Sequence, residues 1–228
     1  MSLRQIGDSI WVRQFPFRVL GAPLGKTMTV VRLPGGELII HSAGPLSDDD
    51  MAEVRRLGKP RWLMEGSRMH DTFASRLRSA FPEAIYLVPP RFPLKLADLA
   101  PAAYLTPTNL PAEWIDEVEV VRIAGTPAVE EHVLWHRRSK TLVMSDFVFN
   151  LELAPGQAMP WFLRWVSGIK SFPATSRLVK WATKDRSAAR EAFERVMTWE
   201  IDRVVVGHGT IMEINAKDLL KKSLNWLF

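Results

Sequence analysis

Arg61–Asp71 reads RWLMEGSRMHD. A short apolar run, Trp62-Leu63-Met64, stops at Glu65-Gly66, and Ser67, Arg68, Met69, His70 and Asp71 then lead into a helix-like stretch from Thr72 to Ala80. This is the pattern of a buried strand with a polar cluster at its exit, where open α/β sheets place their ligand chemistry. Three other apolar runs end in the same way. Leu38-Ile39-Ile40 stops at His41, Leu142-Val143-Met144 at Ser145-Asp146, and Val204-Val205-Val206 at Gly207-His208-Gly209. If these ends gather at one sheet edge, they assemble a cluster of His, Asp and Glu.

Working outward, Ser9–Val12 reads as a strand and Gln14–Phe17 as an aromatic loop. Thr27–Leu33 alternates and is β-branched, Pro34-Gly35-Gly36 is a turn signal, and Glu37–Ile40 completes a hairpin. Ser47 followed by three Asp marks a helix start, and Gly58 its end. Ile85–Val88, Val118–Ile123, Val129–Trp135, Thr141–Met144 and Arg203–Val206 read as strands, and the Pro-rich stretch 91–111 as a connecting loop. Ser187–Glu200 and Asn215–Trp226 read as helices, the first with an apolar stripe of Ala188, Ala192, Phe193, Val196 and Met197. Strands and helices fall into two halves with β-hairpins in each, which predicts one four-layer α/β domain over 1–228. An amphipathic helical insertion at about 155–184, in two pieces broken at Pro173, interrupts it.

The 228 residues are 47% hydrophobic, enough for a large core. With no cysteine, disulfides, thiolate zinc sites and cysteine nucleophiles are excluded. The N-terminus lacks a basic region followed by an apolar core, and no run approaches the ~20 apolar residues of a membrane span. A cytoplasmic protein that is not integral to a membrane is therefore expected. Net charge is +5, but the cations are scattered among 25 acidic residues without a dense stripe, so nucleic acid is not an expected partner.

The Gly-turn hairpin, the polar strand exit with a helix after it, the Asp-terminated strand and the late Gly-His-Gly together resemble the metallo-β-lactamase superfamily. The stretches TMTVVRLPGGELIIHS, LGKPRWLMEGSRMH and AFPEAIYLVPP are similar to a poorly characterised bacterial branch of it. The likeness runs from about Ser9 to Asn215. It implies an αββα sandwich with one or two metal ions, often zinc, at the strand ends, and hydrolysis of an ester, amide or phosphoester.

The superfamily's His-x-His-x-Asp-His motif falls on Glu65-Gly66-Ser67-Arg68-Met69-His70, where only the last His remains. The Gly-His-Thr-Pro segment reads Ala124-Gly125-Thr126-Pro127 and has lost its His, while Asp146 and His208 match the bridging Asp and the final His. The family's first strand usually ends in Asp, and here it ends in His41. The resemblance thus leaves His70, Asp146 and His208 as ligands for a single Zn or Fe ion, a donor set with open positions. The competing reading is a metal-free, catalytically silent binding or scaffold domain, favoured by the broken motif. Ordinary β-lactam hydrolysis is not expected.

Near this site, His41 reads as a further ligand or an orienting partner. Glu65 reads as a general base if buried, or as a strand-end carboxylate paired to Arg61 or Arg68. Met69 offers nothing to a hard cation, and Ser67 lacks a nucleophile elbow. His132 and His136 share one face of a strand without a carboxylate partner, so packing is the expectation. In 155–184, Trp161, Phe162, Trp165, Ile169, Phe172 and Trp181 alternate with Arg164, Lys170, Arg177 and Lys180. Packing on the sandwich, a lid, a homo-oligomer surface and a peripheral membrane contact are the readings open to it. The expected substrate is a small molecule.

Overall fold

The computed structural model describes residues 2–93, 103–106, 108–152 and 158–228. In chain order its elements are β1 (Arg4–Gly7), β2 (Ile10–Phe15), β3 (Arg18–Val19), β4 (Ala22–Pro23), β5 (Lys26–Arg32), β6 (Glu37–His41), α1 (Asp48–Leu57), β7 (Lys59–Met64), α2 (Ala74–Ala80), β8 (Ile85–Val88), β9 (Ala103–Tyr104), β10 (Val118–Arg122), β11 (His132–His136), β12 (Thr141–Val143), α3 (Arg177–Ala182), α4 (Arg186–Val196), β13 (Arg203–Val205) and α5 (Ala216–Ser223). One sheet runs β1-β2-β5-β6-β7-β8-β9, the second β10-β11-β12-β13, and β3-β4 form a small hairpin. The first sheet is antiparallel as far as β6 and parallel from β6 to β9. The second is antiparallel except for the parallel pair β12 and β13.

Strand side chains alternate between faces, and each face here has its own core. Ile10, Val12, Val31, Ile39, Trp62 and Met64 of the first sheet meet Val118, Val120, Leu134, Val143 and Val205 of the second. The neighbouring residues Val30, Ile40, Leu63 and Tyr86 point the other way and pack with Val54 of α1 and Leu77 of α2. Val121, Val133, Leu142 and Val204 pack against Phe193 and Val196 of α4 and Leu220 of α5. The result is helix, sheet, sheet, helix: the αββα sandwich.

The helix ends follow local chemistry. Ser47 Oγ accepts the Asp50 N–H at 3.2 Å while Asp50 Oδ2 accepts the Ser47 N–H at 2.9 Å, a reciprocal cap that starts α1. Asp185 caps α4 by accepting the Ala188 N–H at 3.0 Å. α2 begins two residues later than expected, at Ala74, because Phe73 provides no side-chain cap. In the stretch expected as a loop, Ala103–Tyr104 adds an edge strand to β8; 94–102 and 107 lie outside the described residues. The amphipathic segment is less helical than expected. From 158 onward it holds a π-helical turn at Phe162–Val166, a cis Phe172–Pro173 bond and α3, while 153–157 lie outside the described residues. No helix among the described residues is long and apolar enough to cross a membrane.

Candidate metal centre

The parallel pairs set the site. β6 and β7 run in one direction, as do β12 and β13, so each pair releases its chain at one end of its sheet. His70 follows β7, Asp146 follows β12 and His208 follows β13. The ligand-type atoms of these three buried residues lie within 4.8 Å of one another. His70 Nε2 and His208 Nε2 stand 3.1 and 3.4 Å from the same oxygen, Asp146 Oδ1. His70 Nε2 and Asp146 Oδ2 are nevertheless buried without an aligned hydrogen-bond partner among the described residues.

The outer nitrogens turn the two rings. His208 Nδ1 lies 2.7 Å from the Gly25 carbonyl oxygen. A carbonyl only accepts, so Nδ1 carries a proton and the ring turns Nε2 toward Asp146. His70 Nδ1 is 2.6 Å from the buried Ser42 hydroxyl. Phe149 and Phe17 stack on His208, with centroids 5.5 and 6.0 Å away, and fix its plane. Burial pushes the His70 imidazole down to about 4, with Asp146 pulling the other way, so it is neutral near pH 7. Burial opposes the charge on Asp146, but His70 and His208 outweigh it and hold the carboxyl well below the usual range. The donor set is one carboxylate and two imidazole nitrogens facing a common point. It fits a divalent ion of the zinc or iron(II) kind.

Glu131 shapes the Asp146 turn. Its two carboxylate oxygens accept the Ser145 and Asp146 N–H groups, each at 2.8 Å, from within the interior. Burial pushes this carboxyl up to about 8, and the Asp146 charge adds to that, against the pull of the backbone N–H groups. Behind the cluster lies His41, whose Nε2 has no hydrogen-bond partner among the described residues. Burial, then the charges of His70 and Lys26, lower it to about 3. A Cβ on Gly66 would collide with His41 Nε2 and Ser145 Oγ, and one on Gly207 with the Ser145 carbonyl and the His70 ring. The chain approaches itself too closely there for any side chain.

Glu65 is fully buried, accepts the Ala43 N–H at 3.3 Å and the Tyr86 hydroxyl at 3.4 Å, and is pushed up to about 8 by burial. Lys26, at the start of β5, is also buried, and burial lowers its pKa against the pull of Glu65, Asp146 and Asp71. A cavity of ≈ 510 Å³ opens beside the cluster, with His70, Asp146, His208 and Lys26 on its wall. Phe17, Leu24, Phe149, Phe162, Leu163 and Ile169 make most of the rest apolar.

The remaining expected residues take varied places. Met69 is exposed on the cavity wall, whereas Glu65, Ser67 and Thr126 are not among the described residues lining it. Ser67 donates to the Val129 carbonyl and accepts the Met69 N–H, holding the loop before His70. Thr126 donates to the Ile123 carbonyl and so shapes a turn. His132 and His136 are buried in β11, where their Nδ1 atoms meet the Glu130 carbonyl and the Ser139 hydroxyl. Sequence reading missed Glu131, Lys26, Ser42 and Gly25. A carboxylate pair, Glu130-Glu131, directly before the apolar His132–Trp135 run was the available signal for Glu131. Nothing local marked Gly25, whose role is a backbone oxygen 183 positions from His208.

This architecture is the metallo-β-lactamase fold. The structure is similar to a metallo-β-lactamase from Pontibacter korlensis (TM-score 0.65, 12% identity, covering 99% of this chain and 98% of that one). It is also similar to one from Hirschia baltica (TM-score 0.66, 11% identity, 99% and 97%). A third likeness is to a metal-soaked flavodiiron core from Synechocystis (TM-score 0.68, 10% identity, 99% of this chain and 60% of that one). No family model matches the sequence. No curated protein matches it either.

Proposed function

We propose that the chain is a divergent metallohydrolase-like protein holding one zinc or iron(II) ion on His70, Asp146 and His208, and acting on an ester, amide or phosphoester of a small, largely apolar molecule. One observation carries this. His70, Asp146 and His208 bring their ligand-type atoms within 4.8 Å of one another inside the protein, and His70 Nε2 and Asp146 Oδ2 are buried there without a hydrogen-bond partner among the described residues. Buried polar atoms gathered in this way are satisfied by a cation held between them. Such an ion supplies Lewis acidity, polarising a carbonyl or phosphoryl oxygen and lowering the pKa of water. The chain's own residues do the rest. Gly25 and Ser42 orient the imidazoles, Glu131 holds Asp146, and Lys26 offers a cation to an anionic substrate group or to charge developing in the transition state. The apolar wall excludes water and seats the body of the substrate. Glu65 lies away from the cavity wall and is given a structural part. Two of the fold neighbours are named metallo-β-lactamases and the third was soaked with metal, which agrees with this reading.

A second reading rests on the same distances. Protonated imidazoles would make His70 and His208 two direct partners for Asp146, 3.1 and 3.4 Å away, and the centre would then be a buried ion network without metal. Elemental analysis of protein made in zinc- or iron-supplemented medium separates the two. The metal reading expects about one equivalent in the wild type and little in Asp146→Ala or His208→Ala. Equal, sub-stoichiometric metal in all three proteins leaves only the ion network. A panel of esterase and phosphodiesterase substrates then follows the metal-loaded protein, with Lys26→Met expected to keep the metal and lose turnover.

A further inference from the structure

The net charge of this chain is local. Five of its 30 cationic residues and none of its 25 acidic ones fall between Pro155 and Lys184, so this stretch carries the whole excess of +5. The same stretch turns tryptophans outward. Trp161, Trp165 and Trp181 are 64, 68 and 74% exposed, and Val166 and Leu178 are exposed beside them. Its other side chains turn inward: Phe162 and Leu163 are buried against Leu24 and Ala22 and form part of the cavity wall. Leu178, Trp181 and Met69 both line the cavity and reach solvent, so they make its rim. Cations lie against the outward rings, with Lys184 Nζ 4.0 Å from the centroid of Trp181 and the Arg164 guanidinium 5.6 Å from that of Trp165.

We infer that this face docks on an anionic lipid bilayer, with the cavity mouth turned toward the membrane. Trp beside Lys and Arg is the composition of a protein surface seated at the headgroup level, where rings enter the interface and cations meet lipid charge. Aliphatic rim residues and an apolar cavity suit acyl chains and have no counterpart on a nucleic acid. A second copy of this chain is disfavoured, because a two-fold contact would set an all-cationic stretch against itself. The docking does not depend on the metal reading.

Vesicle co-sedimentation of the full chain tests it, using phosphatidylcholine vesicles with and without phosphatidylglycerol. Binding is expected only with phosphatidylglycerol present, and it weakens as salt is raised. Arg164→Gln with Lys184→Gln should weaken it by about tenfold or more, at roughly 1 kcal/mol per charge near the surface. Trp161→Ala with Trp165→Ala should also weaken it about tenfold. Arg138→Gln with Lys140→Gln removes as much charge from the turn entering β12, at the far end of that strand from Asp146, and should leave binding unchanged. If the tryptophan variant misfolds by circular dichroism, the two charge variants decide alone. Equal loss in both charge pairs, or no preference for phosphatidylglycerol, overturns the inference. So does binding to a single-stranded oligonucleotide without binding to vesicles. A dimer in gel filtration that Trp165→Ala dissociates, again without vesicle binding, assigns the face to a second copy and overturns it as well.

Discussion

Asp146 owes its position to a residue it does not touch through its side chain. Glu131 grips the Ser145 and Asp146 N–H groups at 2.8 Å, and the Asp146 carboxylate projects from that grip toward His70 and His208. Glu131→Gln keeps the volume but turns an amide NH₂ toward one of those N–H donors. The turn then relaxes, and zinc affinity, read by competition with a chromophoric chelator, should fall about 10- to 100-fold with the secondary structure intact. Unchanged affinity would mean that the strand alone aims the carboxylate. The orientation of the His208 ring is likewise set from outside the cluster, by a backbone oxygen of Gly25 that no substitution can remove.

α1 shows an element whose start is encoded locally but whose anchoring is not. Ser47 and Asp50 close a reciprocal cap within four residues, visible in the sequence as Ser followed by three Asp. Asp50 Oδ1 also lies 2.9 Å from Nε of Arg13 on β2, tying the helix to the sheet beneath it. Ser47→Ala loses the cap alone and should lower unfolding free energy in urea by about 1 kcal/mol. Asp50→Ala loses cap and tie and strands a mostly buried guanidinium, so about 3 kcal/mol is expected. Similar losses for the two variants would show that the Arg13 contact adds nothing. Strand exits were legible because apolar runs of three or four residues end abruptly at polar ones. The segment around Trp161–Trp181 was not, because its period fits a helix while Pro173, Gly168 and the packing of Phe162 and Leu163 on Leu24 allow only one π turn and the short α3.

Across the whole molecule the buried ionisable groups set a pH response. Glu65 keeps its proton in the folded chain up to about 8, whereas the unfolded chain releases it near the ordinary glutamate value of 4.5. The folded state therefore holds the extra proton between these values, and this residue's contribution to stability falls as pH rises through that window. The lowered histidines, His41 and His70 among them, act in the opposite direction at lower pH, so the wild-type profile alone does not isolate Glu65. The difference between wild type and Glu65→Gln does. Urea unfolding should show the variant gaining on the wild type by about 1 kcal/mol per pH unit from pH 5 toward 8 and levelling above. A flat difference would mean that Glu65 is ionised in the folded state, paired with Lys26.

Taken alone, the sequence determined a four-layer α/β domain, because alternation of period two and short apolar runs are local patterns that state which face of each strand is buried, and its resemblance to the metallo-β-lactamase superfamily made that an αββα sandwich. The polar ends of these runs marked where a site could assemble, and the resemblance to the metallo-β-lactamase superfamily picked out His70, Asp146 and His208 among them. Only the tertiary structure decided that these three share one point, that the Gly25 carbonyl and the Glu131 carboxylate aim two of them, and that Gly66 and Gly207 leave no room for a side chain. Those facts depend on contacts between residues far apart in the chain, where the separation is set by the stacking of two sheets and leaves no local mark.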